Sequence, residues 1–170
     1  MIKSRLRFGI FLLLSLFWMG LIFYKSGEPY QQQDLRPWLR TLIDEDTLLA
    51  WLPPIEFTYD GGLVSYKHPY SMLEYFIRKC GHVTEYAALT FLLWQTFAAT
   101  TIRKKVALPV CGLLAIGYAA SDEFHQTFVA GRTGHAIDVY TFDSLGVLLV
   151  LLIAWAVEAW LSRRADRKLT

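Results

Sequence analysis

The sequence predicts an all-α membrane protein in which four transmembrane helices form a bundle, as a single domain over residues 1–170. Hydrophobic residues make up 54% of the chain and charged residues only 19%, whereas soluble domains carry about 25% charged residues. The apolar residues come in unbroken blocks, without the spacing of a water-soluble amphipathic helix or strand. The net charge of +2 is small and the basic residues cluster at block ends, so no nucleic-acid partner is expected.

Four apolar blocks define the helices, at residues 8–24, 86–102, 106–121 and 144–157. A helix needs roughly 17 to 25 apolar residues to span a bilayer. The last two blocks reach that length only if each helix continues into its polar flank, which a bundle around a polar site allows. We therefore predict spans at about 6–24, 82–102, 106–124 and 139–160.

Lysine and arginine clusters give the orientation, because they concentrate on the cytoplasmic side of membrane proteins. One cluster precedes the first span, one fills the turn between spans two and three, and one follows the last span. Their members are Lys3, Arg5 and Arg7; Arg103, Lys104 and Lys105; and Arg163, Arg164, Arg167 and Lys168. Both termini are therefore expected in the cytoplasm. The first block could instead be a cleaved signal peptide, but the absence of a clear cleavage site favours an uncleaved anchor.

Residues 25–79 then form a long extracytoplasmic segment between the first two helices. Its apolar positions between residues 35 and 52 have helical spacing and predict one short amphipathic helix, on the membrane surface or capping the bundle. This helix is either a surface helix or a substrate lid, and the sequence leaves both alternatives open. Further on, Ser71 and Glu74 form a capping-box pattern after Pro69, which predicts that the next helix begins near Met72.

Polar side chains interrupt the apolar helices at one depth. On the second helix, Lys79, His82 and Tyr86 follow one stripe and Glu85 lies beside it. The predicted topology places these residues at the outer helix ends together with five groups from the third helix and beyond. Those groups are Asp122, Glu123 and Gln126, with Arg132 in the following loop, and Asp138 at the start of the fourth helix. We therefore predict one outward-facing polar pocket in which ionisable groups are kept for function.

Roles within this pocket are hypotheses. Asp122, Glu123 and His82 are candidate catalytic residues for general acid–base chemistry. The candidate substrate-binding residues are Lys79, Glu85, Tyr86, Gln126, Arg132 and Asp138. Structural roles are open as well: the two cations could reach lipid headgroups, His82 and Tyr86 could join helices by hydrogen bonds, and Asp138 could cap a helix.

A metal site is an alternative for the same region. His82 with Glu85, and Asp122 with His125, are pairs three residues apart, a spacing found in the carboxylate–histidine metal sites of helical bundles. Such spacings are common, so no metal ligand is assigned and no cofactor is predicted. The chain lacks the Gly-x-Ser-x-Gly nucleophile motif and any phosphate-binding glycine loop.

Four short segments resemble the VanZ-like family: residues 78–86, residues 121–126, the Gly131-Arg132-Thr133-Gly134 loop, and Asp138-Val139. They are similar to that family's Lys-x-x-His-x-x-x-Tyr element, Asp-Glu-x-x-Gln element, Gly-Arg loop and Asp-Val helix start. The resemblance covers roughly residues 5–160. Asp143 and Gly146 lie one residue later than the corresponding acid or amide and glycine of the family, which leaves the role of Asp143 open.

The resemblance implies a small, multi-pass protein of the bacterial inner membrane with a four-span bundle. The protein that gives the family its name is associated with resistance to the glycopeptide teicoplanin. The matched positions are Lys79, His82, Tyr86, Asp122, Glu123, Gln126, Arg132 and Asp138. We expect a cell-envelope ligand, either an anionic membrane lipid or a lipid-linked precursor. An enzyme, a binding or transport module, and a structural subunit of an envelope complex remain three alternatives.

Overall fold

The computed structural model describes residues 2–167, and most of them are helical. The helices and strands follow one another as α1 (Ile2–Ser26), α2 (Tyr30–Gln33), α3 (Arg36–Leu42), α4 (Glu45–Trp51), β1 (Glu56–Tyr59), β2 (Gly62–Ser65), α5 (Pro69–Ala98), α6 (Lys104–Gln126), α7 (Ala136–Asp138), a π-helical turn (Val139–Asp143) and α8 (Ser144–Asp166). The last three run on without a break as one long helical segment. Lys168, part of the predicted C-terminal basic cluster, lies outside the described residues.

Three helical segments of the described chain are long and apolar enough to cross a membrane: Ser4–Ser26, Lys104–Gln126 and Ala136–Arg164. They contain the first, third and fourth predicted spans. The second predicted span corresponds to the C-terminal part of α5, which carries more polar residues and is not among the three. The predicted end at residue 102 is wrong. The helix ends at Ala98, where the Thr100 hydroxyl donates to Phe97 O and accepts from Ile102 N.

Helix α5 is the centre of the bundle and packs against α1, α6 and α8. Small residues on α6, such as Ala115 and Ala119, are fully buried and permit close approach of the helices. Gly146 of α8 lies close against the backbone of α5. A Cβ atom at that position would lie 2.2 Å from the carbonyl oxygen of Val83, so this crossing requires a glycine.

The two ends of the bundle differ in charge. Arg7 of α1 donates to Gln95 of α5, and Lys104 of α6 forms an ion pair with Glu158 of α8. These contacts bring the basic clusters around Arg7, Lys104 and Arg163 to one end, which we call the basic end. Ser26 of α1 and His125 of α6 meet at the opposite end, which we call the site end.

Residues 27–68 fold over the site end as a capping segment and do not form a simple loop. The prediction of one amphipathic helix is wrong, because Asp44 accepts a hydrogen bond from Thr47 N at 2.9 Å and starts a second helix, α4. Leu39 of α3 and Leu48 of α4 pack with Tyr70 of α5. The two helices thereby cover the N-terminal end of α5.

The capping segment also contains a β-hairpin, so the all-α prediction is wrong on this point. Strands β1 and β2 pair in antiparallel register, with Tyr59 opposite Gly62. Asp60 and Gly61 between them have φ values of 47° and 78°, and two consecutive positive φ angles are the mark of the type I′ hairpin turn. The hairpin lies against the loop before α7, where Asp60 bonds to His135.

The predicted capping box at Ser71 and Glu74 is also wrong. Helix α5 begins at Pro69, whose fixed φ suits the first helical position. The Glu74 carboxylate is buried and instead accepts hydrogen bonds from the Tyr30 hydroxyl at 3.1 Å and from Leu35 N at 3.2 Å. It also forms an ion pair with Arg78 at 3.1 Å. Glu74 therefore fastens the capping segment to the bundle.

Candidate functional site

The π-helical turn Val139–Asp143 arranges two acidic residues towards α5. Asp138 and Asp143 lie five residues apart, and on a regular α-helix they would point about 140° away from each other. A π turn contains one additional residue and brings them back towards one face. Both carboxylates now contact α5, where Lys79 and His82 lie one helical turn apart. This turn thus accommodates the one-residue displacement of Asp143 and Gly146 relative to the family pattern.

Asp138 forms the first of these contacts. Its carboxylate accepts hydrogen bonds from Lys79 Nζ at 2.6 and 2.7 Å and from the Tyr59 hydroxyl at 2.6 Å. Burial, and then the hydrogen bond with Asp138, raises the pKa of Tyr59, so the hydroxyl remains protonated and donates. Lys79 is buried beneath the hairpin and is not extended towards a headgroup. Asp138 is not a helix N-cap, because His135 occupies the position before α7.

Asp143 forms the second contact and joins a group of three. His82 Nδ1 lies 2.9 Å from Asp143 Oδ1 and 3.9 Å from Glu123 Oε1. One candidate ligand atom from each residue lies within 4.8 Å of the other two. The second oxygen of Glu123 accepts from His135 N at 2.7 Å. The sequence left the role of Asp143 open because this residue lies one position later than the corresponding family residue, and on a regular helix it would face away from Asp138.

Gln126 connects the acidic groups to Arg132. Its amide nitrogen donates to Asp122 Oδ2 at 3.0 Å, and its oxygen accepts from Arg132 Nη2 at 2.6 Å. The other guanidinium nitrogen of Arg132 donates to Gln33 Oε1 at 3.0 Å. Burial, and then the nearby charge of Arg78, lowers the pKa of Arg132. Gln33, which also accepts from Arg78 through its backbone oxygen at 2.9 Å, is a site residue that the sequence did not reveal.

The remaining predicted residues have separate surroundings. Glu85 is half-buried beside Asp122, and its backbone oxygen accepts from Trp18. Tyr86 is buried in the core, and its hydroxyl has no hydrogen-bond partner among the described residues. His125 turns away towards α1, where its ring stacks on Phe23 at 4.1 Å. Asp122 and His125, which were part of the metal alternative, therefore do not act together, whereas the nine predicted site residues all lie at the site end.

Two cavities open at the site end, of about 430 and 460 Å³. The first lies between α1, α5 and α6 and reaches Glu85 and Asp122. The second lies under the hairpin and reaches Asp138. Both are lined by Arg78, His82, Gln126 and Arg132. These four side chains separate the two spaces and are accessible from either one.

Fold and site together define a class: a helical protein with membrane-length apolar helices and a polar, partly buried site at one end of its bundle. Within this class the chain belongs to the VanZ/LLP1 family, whose model matches residues 11–158. No curated protein and no solved structure matches the chain.

Proposed function

We propose that this VanZ-like protein resides in the bacterial inner membrane and binds an anionic group of a cell-envelope molecule at its site end. Helix α5 is the fourth span in this proposal, because it lies between the three apolar segments and turns its polar residues inward. The basic end is cytoplasmic by the positive-inside rule. The site end then faces outward, where lipids and lipid-linked precursors of the envelope are accessible.

The observation that carries this proposal is the charge of Arg132. Lys79 is neutralised by Asp138, and Arg78 by Glu74. Among the residues that the structure describes, Arg132 has no carboxylate within 4.0 Å, and its side chain donates to two amide oxygens. A guanidinium held by neutral partners at the wall of two cavities keeps its charge for a ligand. Its planar fork suits the oxygens of a phosphate group.

A second candidate is an enzyme that modifies the same molecule. The 2.9 Å contact between His82 and Asp143 favours it, because a carboxylate that orients a histidine is a common arrangement for general acid–base catalysis. Single substitutions separate the two candidates. An enzyme is expected to lose nearly all activity in Glu123→Gln, whereas a binding or transport module loses affinity in steps, most strongly at Arg132.

Binding is tested with purified full-length protein in a zwitterionic detergent. Phosphatidylglycerol, a polyprenyl phosphate and phosphatidylcholine are titrated separately and followed by tryptophan fluorescence. We expect the phosphate-bearing anions to bind and phosphatidylcholine not to bind. Because a charge-assisted hydrogen bond contributes about 1.5–3 kcal/mol, Arg132→Gln should weaken binding roughly 10- to 100-fold. The two anionic titrations distinguish an ordinary lipid from a lipid-linked precursor.

Lys67→Gln is the matched control, because Lys67 is an exposed cation on the capping segment that lines neither cavity. Equal affinities for wild type and Arg132→Gln would contradict the proposal. In cells, a deletion strain carrying wild type or Glu123→Gln is compared for envelope lipids and for glycopeptide susceptibility. If Glu123→Gln, Asp122→Asn and His82→Ala all kept the wild-type phenotype at equal expression, the pocket would not be required for the function.

A further inference from the structure

Three buried carboxylates at the site end lack a cationic partner. Asp122 and Glu123 are each 4% exposed and Asp143 is 0% exposed. In the described part of the chain, no lysine or arginine nitrogen lies within 4.0 Å of any of them, and His82 is the single basic side chain in contact. Buried carboxylates in a membrane protein are costly unless they are paired or bind a metal. Their number exceeds what one histidine can neutralise.

Polar atoms beside these carboxylates have no hydrogen-bond partner within the described chain. They are Asp143 Oδ2, Asp122 Oδ1 and the hydroxyl of Tyr86. Native proteins rarely leave buried polar atoms unsatisfied, and a water or an ion is a common partner for such atoms. Two of the three unsatisfied atoms thus belong to the uncompensated carboxylates, and the third, the Tyr86 hydroxyl, lies on α5 one turn after His82.

The geometry of three side chains suits a cation. Nitrogen and carboxylate oxygen ligands bind zinc at about 2.0–2.2 Å, so neighbouring ligands in a tetrahedral site stand ~3.4 Å apart. The two contacts of His82 Nδ1, at 2.9 Å with Asp143 and 3.9 Å with Glu123, lie on either side of this value. Shifts of about 0.5 Å would bring both contacts to this value, and the ligand atoms of Glu123 and Asp143 lie within 4.8 Å of each other. The second oxygen of Glu123 is already oriented by His135 N, as outer hydrogen bonds orient metal ligands.

We propose that His82, Glu123 and Asp143 form a binding site for a divalent transition-metal cation. One imidazole and two carboxylates favour Zn²⁺ or Mn²⁺ over Mg²⁺ and Ca²⁺, because the latter prefer all-oxygen ligands. Three protein ligands leave coordination positions open. We assign a water or ligand oxygen at such a position as a partner for Asp122 Oδ1 or the Tyr86 hydroxyl, which have no hydrogen-bond partner among the described residues.

The cation would also reconcile the acidic site with an anionic ligand, a consequence that rests on the proposed function. When they are ionised, Glu85, Asp122, Glu123 and Asp143 give the site an excess of negative charge that repels phosphate. A divalent ion held by His82, Glu123 and Asp143 would offset two of these four charges, beside the cavities lined by His82 and Arg132. Phosphate oxygens could then bridge the ion and the Arg132 guanidinium.

The test is direct metal binding without any lipid ligand, so that it can fail independently of the proposed function. Untagged full-length protein in detergent is stripped with a chelator, and Zn²⁺, Mn²⁺, Mg²⁺ and Ca²⁺ are titrated by calorimetry. We expect one Zn²⁺ or Mn²⁺ per chain, with affinity at least tenfold above that for Mg²⁺ or Ca²⁺. Bound Mn²⁺ should show nitrogen coupling in pulsed electron paramagnetic resonance. His82→Gln should abolish that coupling, and Asp143→Asn should weaken binding at least tenfold.

Two further variants distinguish this site from its alternatives. His125→Gln replaces a histidine at the same depth that faces α1, and it should retain the metal. Glu85→Gln should also retain it. Loss of binding in either variant, with retention in Asp143→Asn, would overturn the proposed ligand set. No stoichiometric Zn²⁺ or Mn²⁺ on the wild type would overturn the site itself. Monodisperse elution of each variant verifies that it is folded.

Discussion

Replacing Gly146 with alanine adds one methyl group where α8 crosses α5. Its carbon would lie 2.2 Å from Val83 O and 3.0 Å from Ala87 N. Carbon and carbonyl oxygen normally approach no closer than about 3.3 Å, so α8 must move away by roughly 1 Å. Both obstructing atoms belong to the backbone of α5, which cannot rotate aside as a side chain can.

The displacement costs stability and opens the site. Overpacking of a tight interface costs about 1–3 kcal/mol, which for a chain of this length lowers Tm by roughly 6 °C. Asp143 lies one turn before Gly146, so a movement of about 1 Å also takes its 2.9 Å contact with His82 out of hydrogen-bond range. Thermal unfolding in detergent, followed by circular dichroism, measures the first effect. Metal titration measures the second.

Two other glycines supply a graded series. At Gly117 of α6, a new Cβ meets nothing within 4 Å, and at Gly112 it meets the side-chain Cδ1 of Leu151 at 2.9 Å. Gly117→Ala should leave Tm unchanged or raise it, because alanine is the better helix former by about 1 kcal/mol. Gly112→Ala should have a small effect, since Leu151 can adjust. If the Gly146→Ala protein had the same Tm as the wild type, the close α5–α8 crossing would be refuted.

Two further predictions concern the capping segment and the orientation. Glu74→Gln removes the charge that holds Tyr30, Leu35 and Arg78, so residues 27–68 should exchange amide hydrogens faster while α6 remains protected; unchanged exchange would contradict the anchoring role. The orientation is tested in a Cys80→Ser background with a membrane-impermeant maleimide applied to spheroplasts. The reagent should label Asp46→Cys on the capping segment and should not label Lys105→Cys at the basic end. The reverse labelling pattern would show that the proposed topology is inverted.

The general location of the site could be predicted from the sequence because helix direction alone decides which residues share a depth. Lys79, Asp122 and Asp138 stand at consecutive helix ends, so any up-and-down bundle brings them together. Apolar block length likewise located three of the helices. Such reasoning fails where local geometry departs from the regular helix. The additional residue of the π turn rotates Asp143 onto the face that points to α5. An argument from regular helical periodicity cannot predict this rotation.

The capping segment could not be predicted in the same way, because its structure depends on contacts between distant residues. Glu74 satisfies a local capping pattern, yet it hydrogen-bonds to Tyr30 and Leu35 from a different part of the chain. The hairpin had a local signal in Asp60-Gly61, which is a typical type I′ turn pair. Short strands in a highly apolar chain are easily read as parts of an irregular loop, so the Asp60-Gly61 pair alone did not predict a hairpin.

The site is therefore built from two parts with different determinants. The bundle supplies the acids and His82. The capping segment supplies Tyr59, which hydrogen-bonds to Asp138, and Gln33, which hydrogen-bonds to Arg132. Opening of the capping segment would remove one hydrogen bond from each of these partners while the α5–α8 contacts remain. Gln33 is the residue of the capping segment that contacts both Arg78 and Arg132. Under the proposed function, an anionic ligand that replaces Gln33 at Arg132 would therefore remove one of the contacts that hold the capping segment over the site, while the contacts of His82 with Asp143 and Glu123 remain.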